Sequence, residues 1–256
     1  MIEFYYGTTW IWPIQFLPRV MISATFLRTR KSKLKIEKPW MLDSGIGGMF
    51  KDNSSQRLSL EEYANIISLH EPPIAWTYDY PCEPSIREKY CYTSSRAQDM
   101  TNDNTAILRD FYGLKNVMSV VQGWTLDDYL ENIDKIKGAG LLTERLGIGS
   151  VCRRGQTKEI VRIIKAVRNN IPRWVKLHGF GVKTSVLKTE ARFLLDSVDS
   201  SAWGIERRYY SWSTNGNKGL VWKDKVPYLL DYKNKMEELI KDKITLEMFG
   251  MEVWAR

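Results

Sequence analysis

LGIGSVCRRGQTKEIVRIIKAVRNNIPRWVKLHG, residues 146–179, holds two strand patterns with a helix between them. Leu146–Val151 is a short apolar run that gives way to a cysteine and two arginines. From Gln156 to Asn169 the period changes. Ile160, Ile163, Ile164 and Val167 recur at the three-and-four spacing that gathers side chains on one helix face. Trp174–Leu177 is a second short apolar run, and it stops at His178-Gly179. Strand, helix and strand in that order predict two parallel strands joined by a crossover helix.

The same rhythm extends outward in both directions. Arg19–Leu27 (RVMISATFL), Lys38–Asp43 (KPWMLD), Pro73–Tyr78 (PIAWTY), Asn116–Val121 (NVMSVV) and Phe193–Val198 (FLLDSV) read as further strands. Helical patterns occupy Leu60–Leu69, Ser94–Tyr112 and Leu126–Lys137, and Met236–Lys243 closes the chain. Thr125 is a natural N-cap, and Asp127 and Asp128 suit the positive end of the helix that follows. Seven such units in 256 residues predict a TIM-type (β/α)8 barrel. The eighth strand is the weak point: Gly219–Trp222 (GLVW) is its candidate and would make the last unit irregular. The expected organisation is one (β/α)-barrel catalytic domain over residues 1–256, with a short helical extension from about residue 231 to 256.

Composition narrows the function classes. A net charge of +8 and a pI near 9.2 fit an anionic partner, of which nucleic acid is the commonest, and fit equally a surface that is basic only for solubility. Ten Trp, thirteen Tyr and eight Phe could stack on bases or simply fill a core. The cysteines are Cys82, Cys91 and Cys152, an odd number that fits no disulfide framework and points to a reducing cytoplasm. The two histidines, His70 and His178, make no zinc-finger spacing with them. No metal and no cofactor is expected. The N-terminal apolar stretch is broken by Pro13, Gln15, Pro18 and Arg19, so neither a signal peptide nor a membrane span is expected there.

Polar residues fall where a parallel barrel places its chemistry, at the carboxyl ends of strands. Asp43, Asp79, Gln122, Gly149 and Asp199 all lie at or just past a predicted strand end. Singly, each aspartate reads as a turn former or helix cap and the glycine as a turn. Together they are three carboxylates, an amide and a glycine-rich turn aimed at one rim.

These residues sit in a recognisable series: LDSG (42–45), DYPCEP (79–84), VQGW (121–124), GIGSVCRR (147–154), LHGFGVK (177–183) and DSSAW (199–203). In that order they resemble the tRNA-guanine transglycosylase superfamily, most closely its DpdA-type branch, which inserts 7-deazaguanine bases into DNA in phages and bacteria. The resemblance covers roughly residues 19 to 210; GIGSVCRR and LHGFGVK are its most specific parts. It implies that Asp199 is the nucleophile on the anomeric carbon and Asp43 the general acid/base. Asp79 would accept the N1–H and 2-amino edge of a guanine-like base. Gln122 and the backbone N–H groups from Gly147 to Gly149 would address O6. Ser44 and Gly45 would allow close approach, and His178 would lie against base or sugar unless it is a packed core residue. Arg153, Arg154, Arg207 and Arg208 would contact the nucleic acid, with the run Arg28, Arg30, Lys31, Lys33, Lys35 as a further candidate or merely a solvated face. The implied partners are DNA and a 7-deazaguanine base such as preQ0 or a derivative, met in a bacterial or phage-host cytoplasm. A homodimer or a partner protein is compatible with that reading.

The chain departs from the family at two places. DSGIGG stands where relatives carry DSGGF or DSGGY, so Ile46 adds bulk where they have a second glycine. The C-x-C-x-x-C…H zinc site that follows the barrel in the tRNA enzymes has no counterpart here, which favours the DNA branch. A minimal tRNA-guanine transglycosylase acting on RNA is the first alternative, and a non-catalytic nucleic-acid-binding subunit is the second. Cys82 and Cys152 are expected to be pocket-wall residues.

Overall fold

The computed structural model describes residues 2–46, 58–204 and 222–241. Eight parallel strands close into a barrel, each bonded to the next and the eighth to the first. They are β1 (Glu3–Thr8), β2 (Val20–Ser23), β3 (Trp40–Asp43), β4 (Ile74–Trp76), β5 (Val117–Val121), β6 (Arg145–Ile148), β7 (Lys176–Gly179) and β8 (Ser197–Ser200). Helices lie between most of the strands, so the chain is a TIM-type (β/α)8 barrel.

The strand missing from the sequence reading is at the other end of the chain. Glu3–Thr8 (EFYYGT) pairs with both β2 and β8 and closes the barrel. The GLVW candidate is replaced: residues 219–221 lie outside the described residues, and Trp222 begins the helix Trp222–Lys241. EFYYGT is easy to overlook because its strand character rests on aromatic rings. Side chains alternate across a strand. Phe4 and Tyr6 face the outer core with Tyr232, while Tyr5 belongs to the barrel interior.

The interior is filled by Tyr5, Met21, Met41, Ile74, Trp76, Met118 and Val120, with Phe180 against them. The outer layer packs Val20, Ile22, Leu42, Ala75, Val121, Leu146, Ile148, Leu177 and Val198 under the helices. The helix Thr157–Asn169 buries Ile160, Ile163, Ile164 and Val167, the four residues whose spacing predicts it. Leu60–His70 starts at a capping box between Ser59 and Glu62, and Leu126–Gly138 at one between Thr125 and Asp128. Three segments differ from expectation. Ala24–Leu27 is a helical turn rather than strand. Ser94–Ala106 ends in a π-helical turn at Ile107–Phe111. Glu190–Phe193 is a 3-10 turn, so β8 starts later and Asp199 lies within it. Of the expected C-terminal extension, residues 242–256 lie outside the described residues. No helix among the described residues is long and apolar enough to cross a membrane.

Candidate active site

The inward-facing positions of a strand are two apart. Met41 faces the interior, so Asp43, two residues on, faces inward at the rim. Tyr5 is in register with Asp199, and Ser23 with Asp43. Every strand from β3 to β8 delivers a polar group or a backbone N–H to this end of the barrel, either from its own last residues or from the turn that follows.

Asp43 is held by its own turn. Its Oδ2 accepts the Gly45 N–H at 3.1 Å. Gly45 adopts φ 75°, and a Cβ there would lie 2.3 Å from Ser23 Oγ. Only glycine fits that combination. Burial is the main cause that pushes the Asp43 carboxyl up to about 7; the charges of Asp79 and Asp199 add to it, against the lowering by the Gly45 and Ser44 N–H groups. The two other carboxylates are therefore close enough to be felt. Ile46 turns away from them and is buried in the main core.

Asp79 follows β4. Its Oδ1 accepts from Ser44 Oγ at 3.2 Å and its Oδ2 from Gln122 Nε2 at 2.5 Å. Burial raises it to about 6, with its own backbone N–H, Ser44 and Gln122 pulling the other way and Glu83 adding to the rise. Gln122 is fixed at both ends. Its Oε1 accepts from Ser150 Oγ at 2.8 Å, and its backbone N–H donates to Asn132 Oδ1 at 2.7 Å. Gly149 provides the floor beneath the amide: a Cβ there would sit 2.3 Å from Gln122 Nε2. Gly147 does the same for Phe180, whose ring would be 2.4 Å from a Cβ.

Two members of this network went unassigned in the sequence. Ser150 accepts the Cys82 N–H at 2.8 Å, and its single proton lies between Gln122 Oε1 and Glu83 Oε2, the latter at 3.0 Å. It holds φ 54°, a left-handed conformation that costs a serine free energy. Glu83 is buried, 5% exposed, with the Arg153 guanidinium 3.9 Å away. The GIGS and DYPCEP segments contain both residues, but only their convergence reveals the contact.

Asp199, on β8, is 7% exposed. Its Oδ1 accepts the Gly181 N–H at 2.8 Å and lies 3.4 Å from His178 Nε2. His178 does not reach the rim surface. Its ring is fully buried, stacked on Trp76 at 4.9 Å and flanked edge-on by Tyr5 and Phe180. It sits beneath the nucleophile candidate, where a base could touch it only by displacing those rings.

The basic candidates separate in the same way. Arg153 is exposed near the mouth. Arg154 is not at the mouth: its side chain is 0% exposed, ion-paired with Glu159, bonded to the Ser150 and Trp124 carbonyls, and stacked on Trp124 at 4.2 Å. It pins the loop after β6 rather than facing solvent, because each of its three guanidinium nitrogens meets an acceptor, and the acceptors come from three segments. Arg207 and Arg208 lie outside the described residues. In the basic run, Arg28 pairs with Glu62 and Lys33 with Glu71.

Burial pushes the Cys82 thiol up to about 12, so it is no nucleophile at neutral pH; Cys152 is exposed. Among the described residues no three His, Cys, Asp or Glu side chains gather as a metal site.

The site can thus hold a carboxylate near neutral titration beside a second, positioned carboxylate, with a carboxylate–amide edge opposite. No curated protein matches the chain. One family model does, over residues 3–252, under the description DpdA, DeoxyPurine in DNA protein A, and the chain belongs to that family.

Proposed function

We propose that this protein exchanges guanine in DNA for a 7-deazaguanine base through a covalent sugar–enzyme ester. The observation that carries the proposal is the meeting of three carboxylates from β3, β4 and β8 at one rim, with Asp43 held at about 7 by burial and by the other two. An acid that titrates near neutrality can give a proton and take it back.

Asp199 attacks the anomeric carbon. The C1′–N9 bond breaks as the Asp199–C1′ bond forms, and Asp43 in its acid form protonates the departing guanine. A carboxylate suits the cationic character of the sugar in that transition state. Asp43, now ionised, takes the N9 proton of the incoming base, whose nitrogen displaces Asp199. Asp79 keeps a lone pair on each oxygen beyond those engaged by Ser44 and Gln122, enough to accept N1–H and the 2-amino group. Gln122 spends one amide hydrogen on Asp79 and has a second for O6. The target nucleotide must leave the duplex to reach this rim. Arg153 is the described cation best placed for its phosphate. Family membership favours DNA, and DNA and the free base would meet in the cytoplasm.

The test is incubation of the protein with labelled guanine or a 7-deazaguanine and either DNA or tRNA. Label should enter DNA, and a denaturation-stable protein–DNA adduct should form that Asp199→Asn abolishes. Incorporation into tRNA alone would move the reading to an RNA enzyme, and exchange retained by Asp199→Asn would remove the nucleophile.

A further inference from the structure

His178 stands under Asp199 in an arrangement that the exchange reaction alone does not require. Its Nδ1 is 2.9 Å from Ser197 Oγ, and its Nε2, buried and without a hydrogen-bond partner of good geometry, faces Asp199 Oδ1 at 3.4 Å. A lone pair on Nε2 would repel the carboxylate, so the nitrogen facing Asp199 carries the proton and Ser197 donates to Nδ1. Trp76, Tyr5 and Phe180 hold the ring on three sides, so it cannot turn away.

Oδ1 of Asp199 therefore accepts the Gly181 N–H at 2.8 Å and has the His178 N–H facing it, 3.4 Å away, as a second donor that a small shift would engage. We infer that Oδ1 is reserved as the non-attacking oxygen, that Oδ2 forms the bond to C1′, and that His178, oriented by Ser197, is a positioning residue that shifts the internal equilibrium away from the ester. This rests on the nucleophile role proposed above. When Oδ2 bonds C1′, the C1′–N9 pair leaves with the purine and Oδ1 becomes an ester carbonyl. An ester carbonyl is a weaker acceptor than a carboxylate oxygen, so both donors hold the free carboxylate more strongly than the ester. In the second half-reaction the C1′–Oδ2 pair returns to the carboxylate as the incoming N9, having lost its proton, bonds C1′. The donors assist that return. The 3.4 Å separation is of the kind that tightens when substrate arrives.

The experiment compares His178→Phe, which keeps a ring against Trp76 but no donor, with His178→Gln, which restores an N–H near the Nε2 position. Each is mixed with DNA without an incoming base, and the fraction of enzyme trapped as covalent adduct is measured beside turnover with a labelled base. For His178→Phe the ratio of trapped adduct to turnover should rise about tenfold, the scale of one hydrogen bond to a charged group, and His178→Gln should return most of it. Ser197→Ala, a milder change should His178→Phe fold poorly, should move the ratio the same way by about threefold. Adduct and turnover that fall in parallel in all three variants would mark His178 as a packing residue and overturn the inference. Absence of adduct in wild type and in all three variants alike would overturn the nucleophile reading beneath it, a different result from the first.

Discussion

Asp43→Asn should stabilise the fold while it destroys base exchange, and the stabilisation should depend on pH in a defined direction. The folded carboxyl is raised to about 7 from an ordinary 3.8. The folded protein thus holds the proton more tightly than the unfolded chain. Stability linked to a raised acid is fully present below the unfolded value and is lost as pH rises through the folded one. Each pH unit of separation is worth 1.36 kcal/mol, so the loss approaches about 4 kcal/mol above pH 7. Water at the open rim brings this to about 2–4 kcal/mol. Asparagine is neutral throughout, and its Oδ1 can still accept the Gly45 N–H. The variant should therefore match wild type near pH 4 and exceed it by roughly 5–15 °C in Tm at pH 8, given about 2–4 °C per kcal/mol at this size. Thermal melts of both proteins across pH 4 to 8 measure this directly. A Tm difference that stays constant with pH, or a less stable variant at pH 8, would refute the account of Asp43 as a strained, proton-holding group.

Other perturbations separate the remaining roles. Gly149→Ala drives a methyl to within 2.3 Å of Gln122 Nε2 and must break its bonds to Asp79 and Ser150; kcat/KM should fall about a hundredfold, from two hydrogen bonds worth about 3 kcal/mol together, with global stability largely kept in a melt. Arg153→Ala should reduce the salt dependence of DNA binding by about one unit of slope, whereas Arg154→Met should leave the slope alone and cost about 3 kcal/mol of stability in denaturant titration, because it strands buried acceptors. An unchanged slope with Arg153→Ala, or a changed one with Arg154→Met, would reverse that assignment. Glu83→Gln weakens what orders Ser150 and through it Gln122; the KM for the incoming base should rise several-fold with kcat changed less, as initial-rate kinetics would show.

The alternation of strand and helix was legible because both periods are local. Ile160, Ile163, Ile164 and Val167 mark a helix face whatever they pack against, and β-branched runs ending in polar residues mark strands in any parallel barrel. That regularity predicts the barrel class and puts Asp43, Asp79, Gln122 and Asp199 at strand ends. EFYYGT escaped because its pattern is aromatic and its partners, β2 and β8, are distant in sequence; closure of a barrel is a property of the whole ring, which no window reveals. The site divides along the same line. A residue's type and its place on its strand are set by the chain around it. What that residue meets across the barrel is set by seven other strands. Arg153 and Arg154 are neighbours in a turn, yet one faces solvent and the other is buried against Trp124, because Glu159 and the Ser150 and Trp124 carbonyls converge on Arg154. His178 reads as either a base contact or a packed core residue, and the rings of Tyr5, Trp76 and Phe180 decide for packing, beneath Asp199. Ser150 and Glu83 acquire a role only through each other. Local pattern sets which groups are available and at which end of the barrel they emerge; which of them touch follows from closure of the ring, because hydrogen bonds and charge coupling depend on distances of a few ångströms between segments that the chain holds far apart.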